Sequence, residues 1–157
     1  MLTKIYLEYF KCFEKLHLPL APLTVLSGLN ASGKSTTMQA LSLLHQTAVE
    51  SEWNTTLILN GATVGLGTAS DVIDKINGRR EFSIGVQSNT FECVWTMQSE
   101  SRKEMSVPIS TIVWREAPEW QHVKTELMTQ DQRERIYHCF LKILGKVRRT
   151  HSNYLLY

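Results

Sequence analysis

The sequence lacks the features that mark membrane proteins, disulfide-rich secreted proteins and zinc proteins. No apolar run approaches the roughly 20 residues of a membrane helix, and a strand pattern at the N-terminus leaves no room for a signal peptide. Cys12, Cys93 and Cys139 are far apart without a C-x-x-C pair, and the five histidines are scattered. We therefore expect a cytoplasmic protein with free thiols and no membrane contact.

A strong excess of charge is also absent. The 157 residues carry a formal net charge of +2, which is too small to indicate a nucleic-acid-binding protein by composition alone. Positive charge is concentrated after Asp131, in residues Arg133, Arg135, Lys142, Lys146, Arg148 and Arg149. The length, together with the lack of repeats and of a low-complexity linker, predicts a single domain over residues 1–157.

A phosphate-loop motif is the most specific feature that is present. Residues 28–35 read Gly-Leu-Asn-Ala-Ser-Gly-Lys-Ser, which matches the pattern G-x-x-x-x-G-K-[ST]. The preceding run Leu23–Ser27 predicts a short buried strand, and Ser35 to about Val49 predicts a helix. The buried side of that helix is predicted from its apolar residues, which are Met38, Leu41, Leu43 and Leu44.

This motif predicts the binding of a nucleoside triphosphate with Mg²⁺. Gly28 and Gly33 allow the backbone to fold around an anion, so that its N–H groups point at the phosphates. Lys34 is expected to reach the β- and γ-phosphates, and the Ser35 hydroxyl is expected to bind the metal ion. The predicted cofactors are therefore ATP and Mg²⁺. The predicted contacts in the loop and the helix start are Gly28, Asn30, Ala31, Ser32, Gly33, Lys34, Ser35 and Thr36.

Alternating apolar residues predict strands on both sides of the loop. Lys4–Tyr9 and Phe13–Leu18 are expected to form an antiparallel pair, joined by the turn of residues 10–12. Three further strands are predicted, at Phe82–Val86, Phe91–Met97 and Ile109–Trp114.

Weaker signals predict the remaining elements. Asn60-Gly61, between Thr56–Leu59 and Ala62–Val64, indicates a β-hairpin. Ser70 is a predicted N-cap for a short helix that ends near Ile76. The segments 99–104 and 118–131 are predicted loops, and residues 130–144 have the apolar spacing of a helix.

Two stretches make the chain resemble the start of an ABC-type ATPase head. They are Ile5-x-Leu7-x-x-Phe10-Lys11-Cys12-Phe13 and the run from Leu23 to Ser35 that contains the phosphate loop. The chain is similar to the RecF, SMC and OLD-like AAA ATPases of bacteria, some of which belong to anti-phage systems. The resemblance implies an α/β P-loop NTPase fold, in which a mixed sheet carries an antiparallel β subdomain. It is convincing over residues 1–75 and sparse over 76–140.

The resemblance also suggests roles for residues beside the loop. It implies that Asn30 lies near the γ-phosphate or the attacking water, and the alternative is a turn residue. Lys11 and Phe13 occupy the place where such heads contact the base or ribose; the alternative is a hairpin turn with one core aromatic. Gln46 resembles the glutamine that ends the family's first helix. Residues 148–149 are better explained as a solvated basic tail than as active-site groups.

The motifs that those families need for ATP hydrolysis are missing. No apolar run ends in the Asp-Glu pair that would hold Mg²⁺ and polarise the attacking water, and there is no Leu-Ser-Gly-Gly signature. Tyr157 is therefore expected to be a premature end, and the chain an N-terminal lobe. We expect hydrolysis only with a C-terminal lobe, and we expect a homodimer or a complementary ATPase lobe as partner, because an incomplete sheet exposes its edges.

Two alternatives differ in kind from this interpretation. A self-sufficient small-molecule kinase would carry its phosphate loop within the first dozen residues and would have an arginine-rich lid, and neither feature is evident. A non-enzymatic module would use the fold to dock on a partner or on DNA. Its contacts would be the basic tail and the four tryptophans, although aromatic residues at strand positions usually belong to a core.

Overall fold

The chain folds into an antiparallel sheet and two helices, as described by a computed structural model over residues 1–50, 55–74, 79–116, 119–124 and 134. The strands are β1 (Leu2–Phe10), β2 (Phe13–Pro19), β3 (Thr56–Ile58), β4 (Glu81–Ser88), β5 (Phe91–Gln98), β6 (Ser106–Glu116) and β7 (Glu119–Lys124). The helices are α1 (Lys34–Glu50) and α2 (Ala69–Val72).

The sheet has the strand order β2-β1-β4-β5-β6-β3, and β7 also pairs with β6. Every strand pair is antiparallel. Alternation along the strands explains which face is covered: in β5, Phe91, Cys93, Trp95 and Met97 are buried, while the residues between them are half-buried. Most strands thus present one apolar face to a core and one mixed face to solvent.

The core lies between the apolar sheet face and the helices. Trp95, Phe10 and Phe82 are its largest fully buried side chains, and Leu43 and Leu44 of α1 pack in the same cluster. The β1–β2 pair and the strands β4, β5 and β6 confirm the predictions made from alternation. The helix after the phosphate loop is confirmed as well, although its exposure differs from the prediction: Met38 is 56% exposed and Leu41 is half-buried.

The prediction of a buried strand at Leu23–Ser27 is wrong. This segment belongs to no strand of the described sheet, and the side chains of Leu23 and Val25 are 81% and 77% exposed. A buried strand needs neighbours on both edges and cover on both faces, and the described residues do not supply them. The predicted mixed sheet is therefore not observed in the described part of the chain, where the sheet is antiparallel.

Three smaller predictions also need correction. Asn60 and Gly65 form an isolated bridge around a short loop, and β3 pairs with β6 instead of forming a hairpin with residues 62–64. The N-cap of α2 is Thr68, two residues before the predicted N-cap Ser70. Asp71 Oδ2 accepts hydrogen bonds from the Thr68 amide and hydroxyl at 3.0 and 2.9 Å. Residues 119–124 form β7 in a segment predicted as a loop.

The predicted loop at 99–104 is confirmed. The predicted helix at 130–144 lies outside the described residues apart from Glu134, as do the end of the predicted helix near Ile76 and the basic tail.

Candidate functional site

The phosphate loop follows the exposed segment and bends sharply before α1 begins. Gly28, Ala31 and Gly33 have positive φ angles of 151°, 65° and 90°. Two of these three positions are the glycines of the motif, because a residue without Cβ adopts such angles at little cost. Residues 28–32 are exposed, whereas Gly33 is buried at the start of the helix. The backbone therefore curves sharply between Gly28 and Gly33.

The Lys34 ammonium group lies within this loop. Its Nζ donates hydrogen bonds to the carbonyl oxygens of Gly28 (2.7 Å) and Leu29 (2.6 Å), and a longer one to the Ser32 hydroxyl (3.3 Å). Three loop oxygens therefore surround a positive charge at the place where the motif predicts phosphate oxygens. Lys34 and Ser32 thus lie together with the loop backbone, while the predicted phosphate contacts remain predictions.

The first turn of α1 holds the end of the loop. Both the amide and the hydroxyl of Thr37 donate to the Gly33 carbonyl oxygen, at 3.1 and 3.2 Å, and Thr37 is 3% exposed. Ser35 is exposed on the same turn, so its hydroxyl is accessible to a metal ion bound with a phosphate. The motif does not specify Thr37, but its position four residues after Gly33 on the predicted helix was the available signal.

Lys11 belongs to the β1–β2 turn, which lies against α1. Its Nζ donates to Gln39 Oε1 at 2.8 Å, and its backbone amide donates to the Val72 carbonyl at 2.7 Å. Partial burial lowers the pKa of the Lys11 ammonium below its ordinary value of 10.5, and the Asp71 carboxylate opposes this change. The resemblance implied a contact of Lys11 with the base or ribose; in the structure its ammonium group lies at Gln39, about two helical turns along α1 from the loop.

Phe13 lies directly on the loop. A methyl group built on Gly33 would be 2.3 Å from Cζ of the Phe13 ring. Phe13 also borders an open groove of about 250 Å³ next to Lys34, whose apolar walls are formed by Leu16, Leu18, Val25 and Leu26. The structure therefore brings Phe13 to the phosphate loop and Lys11 to α1, while the contact of either residue with a base or ribose remains a prediction.

Asn30 and Gln46 are two other positions that the sequence singled out. Asn30 is exposed at the tip of the loop, and the left-handed residue there is Ala31 instead of Asn30. Gln46 is 1% exposed and bonds to the Ile58 carbonyl (2.8 Å) and the Val64 amide (2.9 Å). Its side chain thus ties α1 to the segment after β3, which is a structural role.

Thr36 completes the predicted set. Its Oγ1 is 3.9 Å from the exposed Cys12 Sγ, so a second residue of the β1–β2 turn reaches the helix start. Within the described residues, no group of three or more His, Cys, Asp or Glu side chains could hold a metal ion.

Neither described helix has the length and apolar character that a bilayer crossing requires.

Comparisons with known proteins agree with the motif. The profile of a family described as AAA ATPase domain matches residues 1–147, which is most of the chain. The chain is also similar to an OLD nuclease of Thermus scotoductus (strain ATCC 700910 / SA-01), with 41% identity over 44 residues. That match covers 28% of this chain and 8% of the nuclease, so it concerns a small part of the longer protein.

Proposed function

Since the chain belongs to the AAA ATPase domain family, we propose that it binds a nucleoside triphosphate, ATP in the first instance, together with Mg²⁺ at the loop of residues 28–36. The observation that carries the proposal is the environment of the Lys34 ammonium. Three loop oxygens hold it within 3.3 Å in the concave side of the loop. Phosphate oxygens are stronger acceptors for an ammonium group than carbonyl oxygens, because the hydrogen bond is then charge-assisted on both sides.

The rest of the loop suits the same ligand. The positive φ angles at Gly28, Ala31 and Gly33 give the loop a sharply turned backbone, and the first amides of α1 add the positive end of a 17-residue helix. The exposed Ser35 hydroxyl can enter the coordination shell of Mg²⁺. In this proposal Lys34 and the amides bind and orient the phosphates, and Ser35 positions the metal ion.

Hydrolysis is proposed to require a second ATPase lobe that supplies the missing Asp and Glu carboxylates. The sequence has no apolar run ending in Asp-Glu, and the segment before the loop exposes Leu23 and Val25 almost fully. Burial of these side chains by a complementary ATPase lobe or a second copy would remove apolar surface from water. The same contact would bring new groups to the loop. This chain alone is therefore proposed to bind nucleotide without turning it over.

Titration calorimetry with Mg·ATP tests the proposal on the wild-type chain and on Lys34→Ala. We expect binding by the wild type and a loss of about 10- to 100-fold in the variant, the equivalent of one strong charge-assisted hydrogen bond. Lys15→Ala is the matched control, since Lys15 pairs with Glu8 on the hairpin. Equal affinities of wild type and Lys34→Ala would refute the proposed site. Phosphate release that depends on Lys34 would refute the claim that the chain is inactive alone.

A DNA-related role is a second candidate, and it is supported by the similarity to a protein named a nuclease. Binding of duplex DNA by this chain should weaken steeply with salt if basic residues contact phosphates. The measurement is DNA affinity at two salt concentrations, for the full chain and for a chain lacking residues 142–157. An affinity that is undetectable at low salt would exclude this role for the chain by itself.

A further inference from the structure

The β1–β2 turn lies along the first two turns of α1 as a continuous strip of contacts. The two turn residues and the first residue of β2 meet residues spaced by three from Gly33 into α1, which is the spacing of one face of a helix. The pairs, in order from the loop, are Phe13 with Gly33, Cys12 with Thr36, and Lys11 with Gln39. The turn is thus fixed on the helix at three points, and Phe13 is the point at the phosphate loop.

Gly33 is held from two sides at this point. Its carbonyl oxygen accepts both the amide and the hydroxyl of Thr37. On the other side, a Cβ at Gly33 would lie 2.3 Å from Phe13 Cζ and 3.0 Å from both Cε atoms, so this end of the ring packs against the glycine and leaves no room for a side chain there. With a φ of 90°, small rotations at Gly33 would redirect the amides that follow it. The ring and Thr37 together restrict those rotations.

We propose that Phe13 is a positioning residue of the nucleotide site, which acts by fixing Gly33 and thereby the amides of the phosphate loop. This inference rests on the proposed function, and it differs from a contact with the base or ribose. The end of the Phe13 ring at Cζ packs against the loop backbone at Gly33. Its effect should therefore fall on the phosphates, whatever nucleoside is attached.

A positioning role of Phe13 can be distinguished from a contact with the nucleoside by comparing a ligand that has a nucleoside with one that has none. Binding of Mg·ATP and of Mg·tripolyphosphate is measured for the wild type and for Phe13→Ala. A positioning role predicts that affinity for both ligands falls by a similar factor, roughly tenfold, as expected when one charge-assisted donor is misaligned. A contact with the nucleoside predicts a loss for Mg·ATP and an unchanged affinity for Mg·tripolyphosphate, and this result would overturn the inference.

Two further variants keep the test meaningful if Phe13→Ala is poorly folded. Phe13→Tyr adds a hydroxyl to Cζ, the ring atom that lies nearest to Gly33, so a positioning role predicts weaker binding of both ligands. A stacking role predicts near-wild-type binding, because tyrosine also stacks. Phe13→Leu keeps apolar volume against Gly33 and should bind both ligands better than Phe13→Tyr does. The opposite order would overturn the inference.

Leu2→Ala is the control for a general loss of packing, because Leu2 is a half-buried residue at the far end of β1 that also packs against the core. It should leave both affinities unchanged. If Leu2→Ala lost as much affinity as Phe13→Ala, the loss would be explained by a general decrease in stability, and a positioning role would be contradicted. A wild-type chain that binds neither ligand would refute the proposed function itself. If the wild type binds both ligands and Phe13→Ala loses affinity only for Mg·ATP, the positioning role of Phe13 is refuted and the proposed function stands.

Discussion

The sheet and the segment before the phosphate loop are built from similar residues but differ in how they are covered. In β4 and β5, Phe82, Ile84 and Trp95 are fully buried in one core. In the segment Leu23–Ser27, two apolar side chains are more than three-quarters exposed. Apolar residues therefore mark a core only where the chain supplies neighbours to cover them.

This difference separates what holds the fold from what forms the site. The core of strands and α1 accounts for the buried apolar surface, which is the main favourable term in folding. The loop is held by a few contacts, chiefly those of Lys34, Thr37 and Phe13. Changes in the core should therefore alter stability, and changes at the loop should alter binding.

Paired leucine substitutions should give the largest contrast between the two regions. Leu43→Ala removes a fully buried side chain of α1 and should lower the free energy of unfolding by about 2–5 kcal/mol. Leu23→Ala removes an 81% exposed side chain and should change it by less than about 0.5 kcal/mol. Urea unfolding followed by circular dichroism measures both. Similar losses in the two variants would mean that Leu23 is covered in solution.

Replacement of Gln46 should show an intermediate effect within α1. Gln46→Leu leaves the half-buried Ile58 carbonyl and Val64 amide without the Gln46 side chain as partner, and we expect a loss of about 1–3 kcal/mol in stability. Gln39→Leu is the matched control: Gln39 is half-buried and accepts one bond from Lys11, so its loss should be smaller. If Gln46→Leu unfolded like the wild type but altered nucleotide binding, the structural role assigned to Gln46 would be wrong.

Local patterns were sufficient to predict much of this fold. Alternation identified β1, β2, β4, β5 and most of β6, because side chains with period two indicate a strand whose two faces differ in exposure. The phosphate-loop motif identified Gly28, Gly33 and Lys34, because the conformation depends on residue types at fixed spacing. These features need no information about distant parts of the chain.

Pairing and burial could not be predicted in the same way. Leu23–Ser27 has the composition of a buried strand, but its exposure depends on which other strands are available to pair. Asn60-Gly61 favoured a local hairpin, but β3 pairs with β6 about 50 residues later in the chain. Phe13 was placed near the nucleotide by resemblance, whereas the direction of its ring toward Gly33 required the tertiary structure.

Tyr6 should make a small contribution to the free energy of unfolding that changes at alkaline pH. Burial raises the pKa of the Tyr6 phenol above its ordinary value of 10.0, and Glu92 acts in the same direction while Arg115 opposes it. Folding thus favours the protonated phenol, so this contribution is complete below pH 10 and is lost as the pH rises through the folded-state pKa. Tyr6→Phe should lose less stability than the wild type over that rise in urea unfolding. Identical pH profiles would show that Tyr6 contributes nothing.

Amide hydrogen exchange with and without Mg·ATP is the most direct test of the separation between fold and site. We expect slower exchange over residues 28–36 when nucleotide is bound, no change in β4 and β5, and no slowing in Lys34→Ala. That result would place the ligand on a loop carried by an already stable sheet. Unchanged exchange at the loop in saturating Mg·ATP, or equal slowing throughout β4 and β5, would contradict the account.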